Sequence, residues 1–285
     1  RHPVFFFFLY WKEYPVAHEK TIKAINECLL NSPSAVCSTD TEHKSGDAFG
    51  RGIAGVTGKL PELKLPVLGG VKLRAMSSEI PCQDRYGTID EISFPIGGDS
   101  RKRVKGAMEW LSDNKREGET WGRLDGRELL FAYPAIIPKA SLKLAACFGA
   151  RKTDDIEARF ETYAKDVVDC LKGLTPFLKD VDLRVFSLRK MDKARTKVLF
   201  HRNYSAQRMA DAATEWQIGC VNVPLIQIKV WGKEKGEIFN AKPETPFPLQ
   251  IAGCLNRVWK LDGTSPSEVK TIPNTAGIEL LLDET

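Results

Sequence analysis

The sequence has few of the groups on which common active sites are built. Four histidines (2, 18, 43 and 201) are a thin supply of general bases. Seven cysteines (28, 37, 82, 147, 170, 220 and 254) form an odd set with no CxxC pair. The Cys37/His43 spacing fits no zinc motif, so no metal and no disulfide framework is expected. The cysteines lie mostly in apolar runs and read as buried thiols of a reducing cytoplasm. No P-loop, dinucleotide fingerprint, nucleophile elbow or kinase motif set occurs, and the glycine pairs 69/70 and 97/98 are turn punctuation. No cofactor is expected. The apolar run near the start, "VFFFFLYW", is broken by Lys12 and Glu13 and at about eight residues is too short to cross a bilayer, so no membrane partner is expected. It reads as a buried strand or helix, and the first residue, Arg1, suggests a fragment of a longer protein.

What is present describes a globular chain. Its 285 residues can bury a sizeable core, and 42% hydrophobic with 28% charged residues excludes wholesale disorder. Apolar spacing predicts a helix over 17–31. A loop-rich stretch follows from 32 to about 70. A second helix is capped at Asp99 or Ser100, with Val104, Ala107, Met108 and Leu111 on its apolar face. "RELLFAYP" (127–134) is a buried strand. Ile156, Phe160, Tyr163, Val167 and Leu171 mark a core helix from near Thr153 to Gly173. Two-residue alternation then predicts strands carrying Val181, Leu183 and Val185, and Thr196, Val198 and Phe200, joined by a charged turn. Ser205 caps a helix that buries Met209, Ala212, Ala213 and Trp216 and ends at Gly219. "VNVPLIQIKVWG" is extended, and a last helix from Pro246 carries Leu249, Ile251, Leu255 and Trp259. The fold class is α+β: mixed sheets with strand-strand-helix units and packed helices. An N-terminal region with long loops (1–150) would precede an α+β region with a basic hairpin (151–285).

Charge is the strongest functional signal. Lys and Arg exceed Asp and Glu by 42 to 37, a net +5. Between 184 and 208 stand Arg184, Arg189, Lys190, Lys193, Arg195, Lys197, Arg202 and Arg208, with Asp192 the single acid. On a regular hairpin Arg195, Lys197 and His201 would share a face, with donors about 7 Å apart for phosphates. A solvated outer face is the plain alternative. Arg101, Lys102, Arg103 and Lys105 crowd the first turns of the second helix, where they oppose its dipole and call for an anion. Asp99 and Glu109 could also supply it. Glu79, Asp84, Asp90 and Glu91 could converge on catalytic magnesium, or form a solvated acidic loop.

Ser77, Tyr86-Gly87, Pro95, and then Ala107, Met108, Trp110 and Leu111 stand at spacings that resemble the large subunit of type I-C CRISPR Cascade complexes. "VTGKLP" (56–61), "LPVLGG" (65–70), "ELLFAYP" and "ARTKVLFH" (194–201) are similar to further elements of that family, so the likeness covers roughly 54–202. The chain departs from the pattern at Ser78-Glu79, Met191-Asp192 and Ala54-Gly55, as a distant relative would. The resemblance implies a non-catalytic cytoplasmic subunit with four kinds of partner: guide CRISPR RNA, target double-stranded DNA, other Cascade subunits and a recruited helicase-nuclease. Such a subunit recognises the protospacer-adjacent motif, while guide pairing reads the rest of the target. It also contacts guide RNA or the displaced strand in antiviral defence. On this reading Arg101, Lys102, Arg103, Lys105, Arg195, Lys197 and Arg202 hold phosphates. Ser77, Ser78, Gln83 and Arg85 are candidates for reading the motif. The alternatives are a metal-dependent nuclease, or a pure assembly scaffold that binds guide RNA and neighbouring subunits.

Overall fold

The computed structural model describes residues 46–50, 59–74, 94–150, 159–175, 177–192, 195–229, 238–259, 266–268 and 271–283, with Lys23 and Glu27. The chain divides into a unit of residues 1–45 and a larger one, 46–285, to which every element below belongs. The helix expected over 17–31 lies outside the described residues except for Lys23 and Glu27, both helical and exposed. The expected start near Thr153 also lies outside them.

The fold is α+β, and its centre is one four-stranded antiparallel sheet in the order β3-β4-β5-β6. These strands are Trp121–Asp125, Glu128–Pro134, Asp182–Lys190 and Thr196–Ser205. Every described strand pair is antiparallel, so the sheets are not mixed as expected. Two strands precede residue 150 and two follow it, so the expected division at 150 does not fall at a break in the sheet. The run "ELLFAYP" is apolar at almost every position because β4 is covered on both faces. Leu130 and Ala132 enter a larger core on one side, whereas Leu129 and Phe131 enter a smaller core on the other.

The larger core is built by helices. Beneath the sheet lie α2 (Leu144–Phe148), α3 (Phe160–Lys172), α4 (Ala206–Val221), α5 (Pro248–Leu255) and α6 (Ala276–Leu282). Helix α3 buries Phe160, Tyr163, Val167 and Leu171, the residues its spacing selects. It begins after Arg159, which is extended. Ser205 accepts a hydrogen bond from the Arg208 N–H at 3.1 Å, the expected cap of α4. That helix passes Gly219 and ends at Val221. Helix α5 is shorter than expected, and Trp259 falls in strand β9 (Arg257–Trp259), which pairs with β10 (Pro266–Glu268). The extended stretch after α4 forms β7 (Ile226–Lys229), paired with β8 (Ile238–Ala241).

The smaller core closes the opposite face. The expected loop before 70 contains a hairpin instead, β1 (Glu62–Leu65) with β2 (Gly69–Lys72), which buries Leu63, Leu65, Leu68 and Val71. Its turn is fastened to β5 by Lys190 Nζ, which donates to Leu68 O at 2.6 Å and Gly70 O at 2.9 Å. Helix α1 (Gly98–Leu111) packs beside it, held to β3 by Trp121 Nε1 donating to Asp113 O at 2.8 Å and Thr120 Oγ1 to Leu111 O at 2.6 Å. The expected burial of all cysteines holds for Cys147 but not for Cys254, which is exposed. Burial raises the Cys147 thiol pKa, so this thiol stays protonated and unreactive.

The last helix carries the tightest packing. Gly277 of α6 lies against the first residue of α5, and a methyl group there would overlap the Pro248 carbonyl. Backbone, unlike a flexible side chain, yields poorly. Gly277→Ala should therefore destabilise the fold by about 1–3 kcal/mol, read as a lower denaturant midpoint at unchanged slope; an unchanged midpoint would contradict this packing.

Candidate nucleic-acid interface

Helix α1 presents the first candidate cluster. Its N-terminus is set by Asp47, 5% exposed, whose carboxylate accepts from Gly97 N–H at 3.1 Å and Phe49 N–H at 3.0 Å. Gly97 occupies the N-cap, not Asp99 or Ser100, because Ser100 is buried and Asp99 lies within the first turn. Leu111 is buried and Val104 and Met108 half-buried, but Ala107, expected on that face, is exposed. Arg101, Lys102, Arg103 and Lys105 are all exposed.

At about 100° per residue, Arg101, Lys102 and Lys105 share one sector of the helix while Arg103 lies outside it. Lys105 meets Glu109 one turn on at 3.7 Å. Among the described residues no ion pair engages Arg101, Lys102 or Arg103. Arg101 closes the first turn of the helix, where a cation opposes the helix dipole at a cost of some tenths of a kcal/mol, and the others follow in the second turn, where the cost is smaller. An external anion would relieve that cost.

The basic hairpin is different. Val198 pairs with Leu188 and Phe200 with Ser187, so Leu199 is an extra residue, a β-bulge in β6. The bulge reverses the alternation. Lys197 therefore faces the larger core's side with its partner Arg189, and His201 faces the other side with Phe186. The expected common face of Lys197 and His201 does not form. Nor do Thr196, Val198 and Phe200 share one, for Val198 is 59% exposed and Phe200 only 6%.

Most cations of this segment are engaged within the fold. Arg195 closes its own turn: its N–H donates to Asp192 Oδ1 at 2.8 Å and its Nε to Oδ2. Arg202 pairs with Glu279 of α6 at 3.5 Å. Arg208 donates to Leu282 O at 3.0 Å and Leu281 O at 3.3 Å, capping α6, and pairs with Glu215 at 3.0 Å. Lys190 holds the β1–β2 turn. Arg189 stands 3.9 Å from Glu128 and 4.0 Å from Asp125. Among the described residues only Arg184 and Lys197 of the segment make no such bond or pair, and Lys193 lies outside them. The concentration of charge read from the sequence is largely spent on tertiary contacts.

Ser77, Ser78, Gln83 and Arg85, and the acids Glu79, Asp84, Asp90 and Glu91, lie outside the described residues. Among the described residues no group of three or more His, Cys, Asp or Glu is placed to hold a metal, and no helix is long and apolar enough to cross a membrane. Comparison with protein-family models and with curated proteins finds no match.

A polar cleft that the sequence did not suggest opens at the start of β4. Glu128, only 2% exposed, lies across from Arg189 in the register, and Arg189 lies across from Lys197. Acid and cations thus form a row over three strands. Burial raises the pKa of Glu128, and the neighbouring Asp125 charge adds to the rise; Arg189 and the Ser187 hydroxyl act in the opposite direction. A carboxyl raised in this way favours folding while protonated. Its contribution fades as pH climbs from 4.5, its ordinary value, through the folded value. The stability of Glu128→Gln relative to the parent should accordingly improve as melts are taken from about pH 4 to about pH 7. A pH-independent difference would show that Glu128 titrates as an ordinary surface carboxyl.

Proposed function

We propose that this chain is a non-catalytic, nucleic-acid-binding large subunit of a guide-RNA surveillance complex of the Cascade type, acting in the cytoplasm. In this role it checks the protospacer-adjacent motif on duplex DNA and contacts guide RNA or the displaced strand. Neighbouring Cascade subunits and a recruited helicase-nuclease are its protein partners. The observation that carries the binding function is the cation group at the start of α1, where Arg101, Lys102 and Arg103 are exposed without an intramolecular ion pair among the described residues. The spacing of Ser77, Tyr86-Gly87, Pro95 and Ala107-Met108-x-Trp110-Leu111 supports the family. Pro95 lies two residues before the Gly97 cap, and the other matched apolar residues lie in the last turns of the same helix. The helix that carries the last part of the likeness also carries the cations that pair with no acid among the described residues.

Within this reading the hairpin ranks second. Lys197 contributes to phosphate binding, whereas Arg195 and Arg202 must first release Asp192 and Glu279. Ser77, Ser78, Gln83 and Arg85 remain the proposed motif readers, since Gln and Arg can present paired donors to base edges.

The test compares charge reversals on the full chain. Arg101→Glu with Lys102→Glu should weaken binding to an oligonucleotide duplex about tenfold or more and flatten the dependence of log affinity on log salt by about 0.9 for each phosphate no longer neutralised. The melting temperature should not fall, because both side chains are exposed and glutamate near a helix N-terminus suits the dipole better than a cation does. Arg195→Glu should cost less affinity. Binding that is salt-independent, or indifferent to the α1 reversal, would overturn the proposal. Gln83→Ala with Arg85→Ala should relax motif preference and spare guide-RNA binding; binding to guide RNA alone, with none to motif-bearing duplex, would mark a scaffold.

A further inference from the structure

The cleft beside Glu128 has a volume of about 520 Å³, within the span of roughly 300–1,000 Å³ common to small-ligand sites. Its polar groups are close but loosely joined. Arg189 lies 3.9 Å from Glu128 and 4.0 Å from Asp125. Asn274 Nδ2 lies 3.4 Å from Glu128 Oε2 and 3.5 Å from Asp125 Oδ2. These distances contrast with a well-made bond in the same wall, where Asn256 donates to Ile272 O at 2.8 Å. The fully buried Ser187 hydroxyl, which acts on the Glu128 carboxyl, also makes no hydrogen bond of ordinary geometry. A buried carboxylate with partners this distant has acceptor capacity to spare.

The chemistry of the cleft narrows the ligand. A metal ion is disfavoured by the guanidinium set between the two acids, and a simple anion by the acids themselves. The ligand must offer N–H donors to carboxylate oxygens and an acceptor to a guanidinium or amide, side by side. Leu124, Leu199, Ile272 and Pro273 give apolar walls, and the exposed Arg257 stands at the rim. Guanine fits this set. Its N1–H and 2-amino group are adjacent donors that match one carboxylate, and O6 and N7 are the acceptors that arginine takes in pairs. Adenine lacks the adjacent donors, and cytosine offers only one donor group.

The geometry points to a guanine-accepting pocket formed by Glu128, Asp125, Arg189 and Asn274, with Arg257 placed for the attached phosphate. Leu199, the extra residue of the bulge in β6, lines the cleft. The inference rests on the nucleic-acid reading for a strand as the source of the base. A free guanine nucleotide would bring the same chemistry.

Titration calorimetry on the full chain with guanosine, inosine and adenosine monophosphates tests it. Inosine monophosphate lacks only the 2-amino group, so it should bind about tenfold or more weakly than the guanosine form, the usual loss for one hydrogen bond to a charged acceptor. Asp125→Asn and Arg189→Ala should each weaken the guanosine form by a similar factor, with circular dichroism confirming that each variant is folded. Should either misfold, Glu128→Gln, of the same shape, takes its place and should weaken the guanosine form likewise. Binding of all three nucleotides alike, or of none at millimolar concentration, would overturn the pocket, as would folded variants that bind unchanged. An oligonucleotide carrying one guanine or one inosine separates the sources: a preference for guanine assigns the pocket to a strand, and no preference beside selective mononucleotide binding assigns it to a free nucleotide. The outcomes remain distinct from those at α1. Reversal of Arg101 and Lys102 that leaves strand affinity unchanged, with selective guanine binding intact, rejects only the surface, and salt-sensitive strand binding with no guanine preference at either level rejects only the pocket.

Discussion

Burial of β4 on both faces is the constraint on which the larger unit depends. Leu129 and Phe131 on one side and Leu130 and Ala132 on the other are all fully buried. The leucine and phenylalanine side chains among them contribute roughly 1.5–3 kcal/mol each when removed from water. The strand is held in register by β3 and β5. Consequently α1 and the β1–β2 hairpin on one side, and the helices on the other, are positioned by the same seven residues, Glu128–Pro134. The exposed cations of α1 and the cleft at Glu128 are placed from opposite faces of one rigid strand.

The charges divide by what they touch. Lys190, Arg202 and Arg208 reach acids or carbonyls of other elements and hold the fold. Arg101, Lys102 and Arg103 pair with no acid among the described residues. This division reverses the ranking that charge density suggests, because the richer segment is the more neutralised one. Exposed ion pairs are worth little in stability, but they compete directly with a phosphate for the same guanidinium. A cation that has no partner to leave is the better ligand.

Sequence periodicity revealed the parts whose contacts are local or regular. The apolar run of β4, the three- and four-residue spacing of α3 and the Ser205 cap are visible without a structure because each depends on neighbours within a few positions. The bulge is not visible: Val198, Leu199 and Phe200 are three apolar residues in a row, and alternation alone cannot say which is the extra one. The hairpin at 62–72 was hidden by the proline and glycines of its own turn, although Leu63, Leu65 and Val71 keep the period of two. Helix α6 has seven residues, too few for a clear period. Pairings such as Arg202 with Glu279, 77 residues apart, leave no local trace. The polar cleft was illegible for the same reason, since Asp125 and Glu128 meet Asn274 only across 149 and 146 positions.

Native-state hydrogen exchange measures the central constraint directly. If β4 joins two cores into one cooperative unit, the amides of Leu129–Phe131 in β4 and Val185–Leu188 in β5 exchange only through global unfolding, with one common opening free energy that is the highest in the unit. If instead the face with α1 and the face with α3 and α4 open at different denaturant concentrations, and β4 amides follow one of them alone, the two faces are independent and the account is wrong.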